Sequence, residues 1–357
     1  MPPSTQRILG FDGLRAIAFL LVFVSHKIPT GATQRYGAAG VWLFFVLSGF
    51  LITRILMHSR AAVEQRREGL LSHLLVFWTR RSLRIMPVYY VFLGVMTLLS
   101  VYGLADLGSR MRQLSNVIFL SNFYIERNGW GALGHLWSLA VEEQFYIFFA
   151  PLVLLSPLRQ LGYICAGILA VSVVAHVVLF IQGRWSVSFD ANSFVNFGLM
   201  AIGGLAGMAA DRRRLPKALT SEAAICAALG AYLVLPLLIS PMQLWLQVGR
   251  VSGLLAALLL LQVYQRQDGW AVGFLNTAPL RLLGVVSYGA YLFHEPINSA
   301  GILAQFGCAG EVPMFARAAL DLGATVVLAG LSWRFLETPF RNMARRRNSS
   351  IVPSAAT

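Results

Sequence analysis

The chain has 357 residues, of which 57% are hydrophobic and only 12% charged, where soluble domains carry about 25% charged residues. That balance excludes an ordinary soluble domain and describes a polytopic membrane protein. The net charge of +14 is then no sign of nucleic-acid affinity, because its distribution follows the bilayer.

The first apolar stretch, FDGLRAIAFLLVFVSH, runs from Phe11 to His26 and carries Asp12, Arg15 and His26. Those groups, and the apolar runs that follow, mark it as a retained helix and not a cleaved signal peptide. A charged residue at the bilayer centre costs roughly 2.5–3.5 kcal/mol, so lipid anchoring does not explain three ionisable groups. At about 100° per residue, Arg15 and His26 lie about 20° apart around a helix and about 16 Å apart along it. Asp12 is on the same side but about 21 Å from His26, too far to hydrogen-bond that ring. It is expected to pair with Arg15 or to cap the helix start.

Runs near spanning length recur along the chain. The expected spans are 9–28, 38–57, 86–104, 136–157, 161–181, 193–210, 218–239, 248–265, 280–303 and 314–336. Residues 112–125 are too short to span and read as a re-entrant or interfacial piece. With a cytoplasmic N-terminus, the inner loops hold more than a two-fold excess of Arg and Lys over the outer ones, the positive-inside pattern. Ten spans return the basic run Arg345–Arg347 to the same side. The expected fold class is therefore all-α, with a single transmembrane domain over 1–345 and a basic, disordered cytoplasmic tail over 346–357. The largest cytoplasmic loop is expected over 58–85. Cys165, Cys226 and Cys308 show no CxxC spacing, so neither a disulfide framework nor a zinc motif is indicated, and no metal site is expected.

Five further stretches carry polar groups that apolar helices do not need. Arg80, Arg81 and Arg84 stand at the inner foot of the third span, at a depth similar to Arg15. Guanidinium forks suit phosphate oxygens, so these residues form a candidate anion clamp beside the plainer reading of topology anchors. Ser48 and Gly49, in GVWLFFVLSGFLIT, are small enough for close helix packing; Ser48 is a weak nucleophile candidate without a GxSxG elbow. HLWSLAVEEQFY places Glu142 and Glu143 in the fourth span, pointing about 100° apart, so only one of them faces a given neighbour. His135 shares a face with Glu142. SYGAYLFHEPI puts His294, Glu295 and Pro296 in the ninth span, where a proline frees backbone groups and often lines a cavity. In SWRFLETPFR, Glu337 and Arg341 are four apart and suited to pair.

Taken together, Arg15-x10-His26, FFVLSGF (Phe44–Phe50), RRSLRIMPVYY (Arg80–Tyr90), WSLAVEEQFY (Trp137–Tyr146), SYGAYLFHEP (Ser287–Pro296) and ETPFR (Glu337–Arg341) resemble, in order, the motifs of the membrane acyltransferase-3 family. That resemblance implies an integral-membrane O-acyltransferase of the bacterial inner membrane. It would move an acyl group, usually acetyl, from acyl-CoA to a carbohydrate hydroxyl on a surface polysaccharide, lipopolysaccharide O-antigen or lipid-linked glycan. No bound cofactor is implied; acetyl-CoA is a co-substrate, and membrane lipid surrounds the chain. By position, His26 and Glu142 would be catalytic, and Arg15, Arg81 and Arg84 would bind acyl-CoA. Ser48, Glu143, His294 and Glu337 would support them. Some relatives add an extracytoplasmic SGNH-type domain, which the 357 residues do not include. The outer position of the fourth span's start makes Glu142 the first candidate to assist His26. Intramembrane charge, a mid-span proline and many glycines also suit a substrate-coupled transporter; the inner arginines aligned below His26 favour the transferase.

Overall fold

The computed structural model describes residues 7–66, 69–184, 190–238, 249–299 and 312–351. Among them there is helix and turn but no strand. Helix α1 spans Phe11–Lys27, α2 Gln34–Arg66, α3 Leu70–Val101, α4 Arg110–Val117, α5 Ser121–Asn128 and α6 Leu136–Leu155. Helix α7 follows over Leu161–Ile181, then α8 Ser193–Arg212, α9 Glu222–Leu238 and α10 Gly249–Gln265. The chain continues with α11 Trp270–Leu275, α12 Ala278–Val285, α13 Ser287–Phe293 and α14 Met314–Ser332. A π-helical turn, Trp333–Glu337, joins α14 to α15 Thr338–Ile351. Six helical stretches are long and apolar enough to cross a bilayer: Gln34–Gln65, Leu70–Val101, Leu136–Leu155, Leu158–Ile181, Ser193–Arg212 and Met314–Ala344. Glu222–Leu238 and Arg250–Gln265 are shorter apolar helices.

The expected boundaries shift where local breakers are weak. Residues 58–85 are not a long loop, because HSRAAVEQR holds no Gly or Pro and α2 continues to Arg66. Helix α3 restarts just after Gly69, so Arg80, Arg81 and Arg84 lie inside a helix, ahead of Pro87, and not at its foot. The piece 112–125 becomes the two short helices α4 and α5. The ninth span is not continuous: α12 ends at Val285, α13 at Phe293, and His294–Pro296 form a turn. Pro296 explains that end, since it lacks an N–H and disfavours helix at the residue before it. The last helix runs to Ile351, into the segment expected as a tail; residues 300–303 and 352–357 lie outside the described part.

Helix α1 is gripped on several sides, with Leu14, Ala16, Ala18 and Phe19 fully buried. Its start is wedged between backbones. A Cβ on Gly13 would lie 2.0 Å from the Leu275 carbonyl oxygen, and one on Gly284 would lie 1.8 Å from that of Asp12. Helices α2 and α8 meet the same way, Gly49 against the Met200 carbonyl and Gly203 against that of Val46. Inside lipid, helices gain little from apolar exclusion, and small residues that admit close backbone contact supply the packing. Gly49→Val is expected to abolish monodisperse protein in detergent size-exclusion chromatography. Gly230→Ala, which has no atom within 4 Å of its added Cβ, is expected to leave the profile unchanged.

Candidate active site: two chambers that share a wall

Two neighbouring cavities open among the helices and share lining residues. The inner one, about 70 Å³, is lined by Arg15 of α1, Ser48 of α2, Arg81 and Arg84 of α3, Glu142 of α6 and Tyr288 of α13, among others. The outer one, about 450 Å³, is lined by His26, Arg35, Trp130, His135, Trp137, Asp190 and Glu295, among others. Val41 and Tyr291 line both. Arg15 and His26 of α1 therefore line different chambers, Arg15 the inner and His26 the outer, as their separation along one helical face allows.

Glu142 is the hub of the inner chamber. Its Oε1 accepts from Arg81 Nη2 at 2.7 Å and also from the hydroxyls of Ser48 and Tyr146. The Arg81 guanidinium lies over the Tyr146 ring, 4.1 Å from its centroid, a favourable cation–π position. Tyr146 follows Glu142 by one helical turn, which is why both reach the same arginine. Arg15 reaches Asp12 at 3.8 Å, while Asp12 is held more closely by Arg7 at 2.5 Å. Asp12 does not cap the helix; Gly10 stands at that position. Arg84 lies within electrostatic reach of Arg15, Arg81 and Arg341. Three lining guanidiniums against one lining carboxylate leave this chamber cationic, the condition for holding phosphate.

Glu143 points away from Glu142, as their spacing on a helix demands. Glu143 and Glu337 are buried at 7% and 2% exposure. Each has one carboxylate oxygen with no hydrogen-bond partner among the described residues. Glu337 closes the π turn and lies within electrostatic reach of both Arg84 and Arg341, so its expected partner Arg341 is one of two cations around it.

The outer chamber carries a histidine cluster. His26 Nδ1 lies 2.8 Å from His294 Nε2, and His294 Nδ1 lies 2.6 Å from the Tyr291 carbonyl. His135 Nδ1 meets Glu295 Oε2, its backbone N–H donates to the same oxygen at 3.1 Å, and its Nε2 is 3.1 Å from the Leu292 carbonyl. The rings of His135 and His294 meet edge to face, with centroids 5.3 Å apart. The Tyr291 hydroxyl donates to the His135 carbonyl at 2.9 Å. Next to His26, Lys27 pairs with Asp321 at 3.3 Å and donates to the Ile297 carbonyl.

The structure thus separates two residues that sequence reasoning joined. Glu142 belongs with Arg81 in the inner chamber, and the acidic residue lining the outer chamber beside the histidines is Glu295. Glu142 enters α6 a full two turns below His135, which already marks the outer end of that helix. Tyr146 and Tyr291 went unnoticed in the sequence. Their signal was present, Tyr146 four after Glu142 and Tyr291 three before His294, but tyrosines in apolar helices read as packing.

The family model described as an acyltransferase domain, acyltransferase-3, matches residues 8–306. The chain belongs to this family of multi-pass membrane proteins. A Staphylococcus aureus (strain COL) protein provisionally named an O-acetyltransferase is 30% identical over 364 residues, 94% of this chain and 57% of its own length. The peptidoglycan O-acetyltransferase OatA of Listeria monocytogenes is 29% identical over 365 residues, covering 95% of this chain and 56% of the relative. The O-acetyltransferase OatA of S. aureus (strain NCTC 8325) is 26% identical over 367 residues, 95% and 58%. The chain spans somewhat over half the length of these relatives. No solved structure matches it significantly.

The inner hub makes a testable claim. Removing one member of a buried ion pair strands the other, at roughly 3–5 kcal/mol, whereas removing both is far milder. Arg81→Met is therefore expected to lower the detergent melting temperature more than the double variant Arg81→Met/Glu142→Gln. Additive losses in that cycle would show that the two side chains are not coupled.

Proposed function

We propose that this chain is an O-acetyltransferase of the bacterial inner membrane that takes acetyl from acetyl-CoA on the cytoplasmic side and passes it to a carbohydrate hydroxyl on the far side. One observation carries the reading: the arginine-lined chamber and the His26 chamber share Val41 and Tyr291 as a common wall. Both termini are assigned to the cytoplasm with ten crossings, in keeping with the positive-inside distribution.

Arg15, Arg81 and Arg84 face the donor's phosphates at the inner mouth. The three guanidiniums gather at this chamber, so the nucleotide phosphates are held there while the thin pantetheine arm reaches on toward α1's far end. Glu142, Ser48 and Tyr146 fix the Arg81 fork in place. The thioester passes the Val41–Tyr291 wall and comes up beside His26.

In the outer chamber His26 acts as general base, the role for which imidazole's unperturbed pKa near 6.5 suits it. It takes the proton of the acceptor hydroxyl while that oxygen attacks the thioester carbonyl carbon. The carbon–sulfur bond breaks, the new carbon–oxygen ester bond remains, and the leaving thiolate takes the proton back from the imidazolium to give CoA. Trp130 and Trp137, with Asp190, supply the apolar faces and hydrogen-bond acceptors that a sugar ring needs. The Listeria relative's name points to peptidoglycan, which fits a cell-envelope glycan as the acceptor class here.

The test uses membranes carrying the endogenous acceptor, with labelled acetyl-CoA supplied on the cytoplasmic face. His26→Ala is expected to lower label transfer by about 10²-fold or more while acetyl-CoA binding persists. Full transfer by this variant, or transmembrane flux of label without CoA release, would contradict the reading. Val41→Trp, which fills the shared wall, is expected to cut transfer by about 10²-fold, a larger loss than any in donor binding; unaffected transfer would mean that the acetyl group takes another path.

A further inference from the structure

His294 was expected only as a supporting residue of unspecified role, yet its hydrogen bonds fix what it does. Its Nδ1 faces the Tyr291 carbonyl at 2.6 Å. A carbonyl oxygen only accepts, so Nδ1 carries the hydrogen, and the neutral ring presents a lone pair at Nε2. That lone pair is aimed at His26 Nδ1, 2.8 Å away. The planes of the two rings differ by 5°, with centroids 5.0 Å apart. Parallel rings in face contact would not bring two nitrogens that close, so they meet edge to edge, as an N–H···N bond requires. His26 is therefore the donor through Nδ1. Its own lone pair is left on Nε2, which has no hydrogen-bond partner among the described residues, and His26 lines the outer chamber.

Burial and packing hold the His294 side of this arrangement. His294 is fully buried, with 0% exposure, and its ring is packed edge-on against Phe19 of α1 and against His135. The turn that breaks the ninth span at Pro296 is what delivers His294 to α1. Its Nδ1 contact is to the carbonyl three residues earlier, a local bond that sets the ring before any substrate arrives.

We infer that His294 is a positioning residue that holds His26 in the Nδ1–H tautomer, so that Nε2 is the nitrogen that takes the acceptor's proton. A carbonyl–imidazole–imidazole chain, Tyr291 to His294 to His26, thus does the orienting work, with no carboxylate in direct contact with His26 among the described residues. The inference rests on the reading of His26 as the base.

Two variants separate this role from packing. His294→Phe keeps a flat ring but removes the acceptor; His294→Gln gives up the ring but returns an amide oxygen near the position of Nε2. CoA thiol release from acetyl-CoA, measured in membranes carrying the endogenous acceptor, is expected to fall about 10²-fold in kcat for His294→Phe. Its KM for acetyl-CoA is expected to stay at the parent value, because His294 does not line the donor chamber. His294→Gln is expected to remain within about tenfold of the parent. Parent-like turnover in His294→Phe, or equal loss in both variants, overturns the positioning role. If His26→Ala is itself fully active, the base reading fails first; if it is inactive while His294→Phe is not, only the present inference fails. A measurement on the unsubstituted protein does not depend on how the His294 variants fold. ¹⁵N NMR of histidine-labelled protein in lipid, with His26 assigned by comparison with His26→Ala, is expected to show protonated Nδ1 and bare Nε2. An Nε2–H tautomer at His26 overturns the proposal.

Discussion

A guanidinium inside a helix bundle has to be answered by another group, and the Arg81–Glu142 pair is that answer here. Everything at the inner end is arranged around it: Ser48 and Tyr146 bond the same carboxylate oxygen, and the tyrosine ring lies under the cation. The pair joins α3 to α6 and, through Ser48, to α2. A charge held so firmly is preorganised, and a preorganised cation binds an incoming anion without first having to be ordered. Arg15 and Arg84 then add positive charge that Glu142 does not offset within the chamber.

The outer end follows a different electrostatic logic. His26, His294 and His135 are brought together by three separate elements, the end of α1, the turn after α13 and the residue that opens α6. Glu295 meets His135, so the carboxylate sits one histidine removed from His26. The two chambers thus differ in kind: guanidiniums around one carboxylate line the inner, and hydrogen-bonded imidazoles gather at the outer. Val41 and Tyr291 line both chambers. Close glycine contacts at Gly13 and Gly284 hold the start of α1 against its neighbours, which keeps Arg15 and His26 in register with their separate chambers.

Much of this was legible in the sequence. The interval Arg15-x10-His26 placed both on one helical face with opposite depths, and the structure gives each its own chamber. Arg81 and Arg84 were readable as neighbours on a helix for the same reason of period. What the sequence did not carry was the identity of partners on other helices. Arg81 meets Glu142 across 61 residues, and His26 meets His294 across 268; no local spacing encodes such pairs. Glu142 was therefore matched with His26 on depth alone, and the histidine relay went unseen. The broken ninth span was announced by Pro296, but a hydropathy window averages over one proline and sees a single apolar run. The helical continuation of residues 58–66 was hidden by their charge, since polarity marks where a helix leaves the bilayer and not where it ends.

The central claim is that a single path leads from the arginine chamber to His26. A cryo-EM structure of the protein in lipid with a non-hydrolysable thioether analogue of acetyl-CoA tests it most directly. The phosphates are expected beside Arg15, Arg81 and Arg84, the arm passing Val41 and Tyr291, and the acetyl-bearing end next to His26. Phosphates bound away from those arginines, or an acetyl end that stops short of the shared wall, would contradict it.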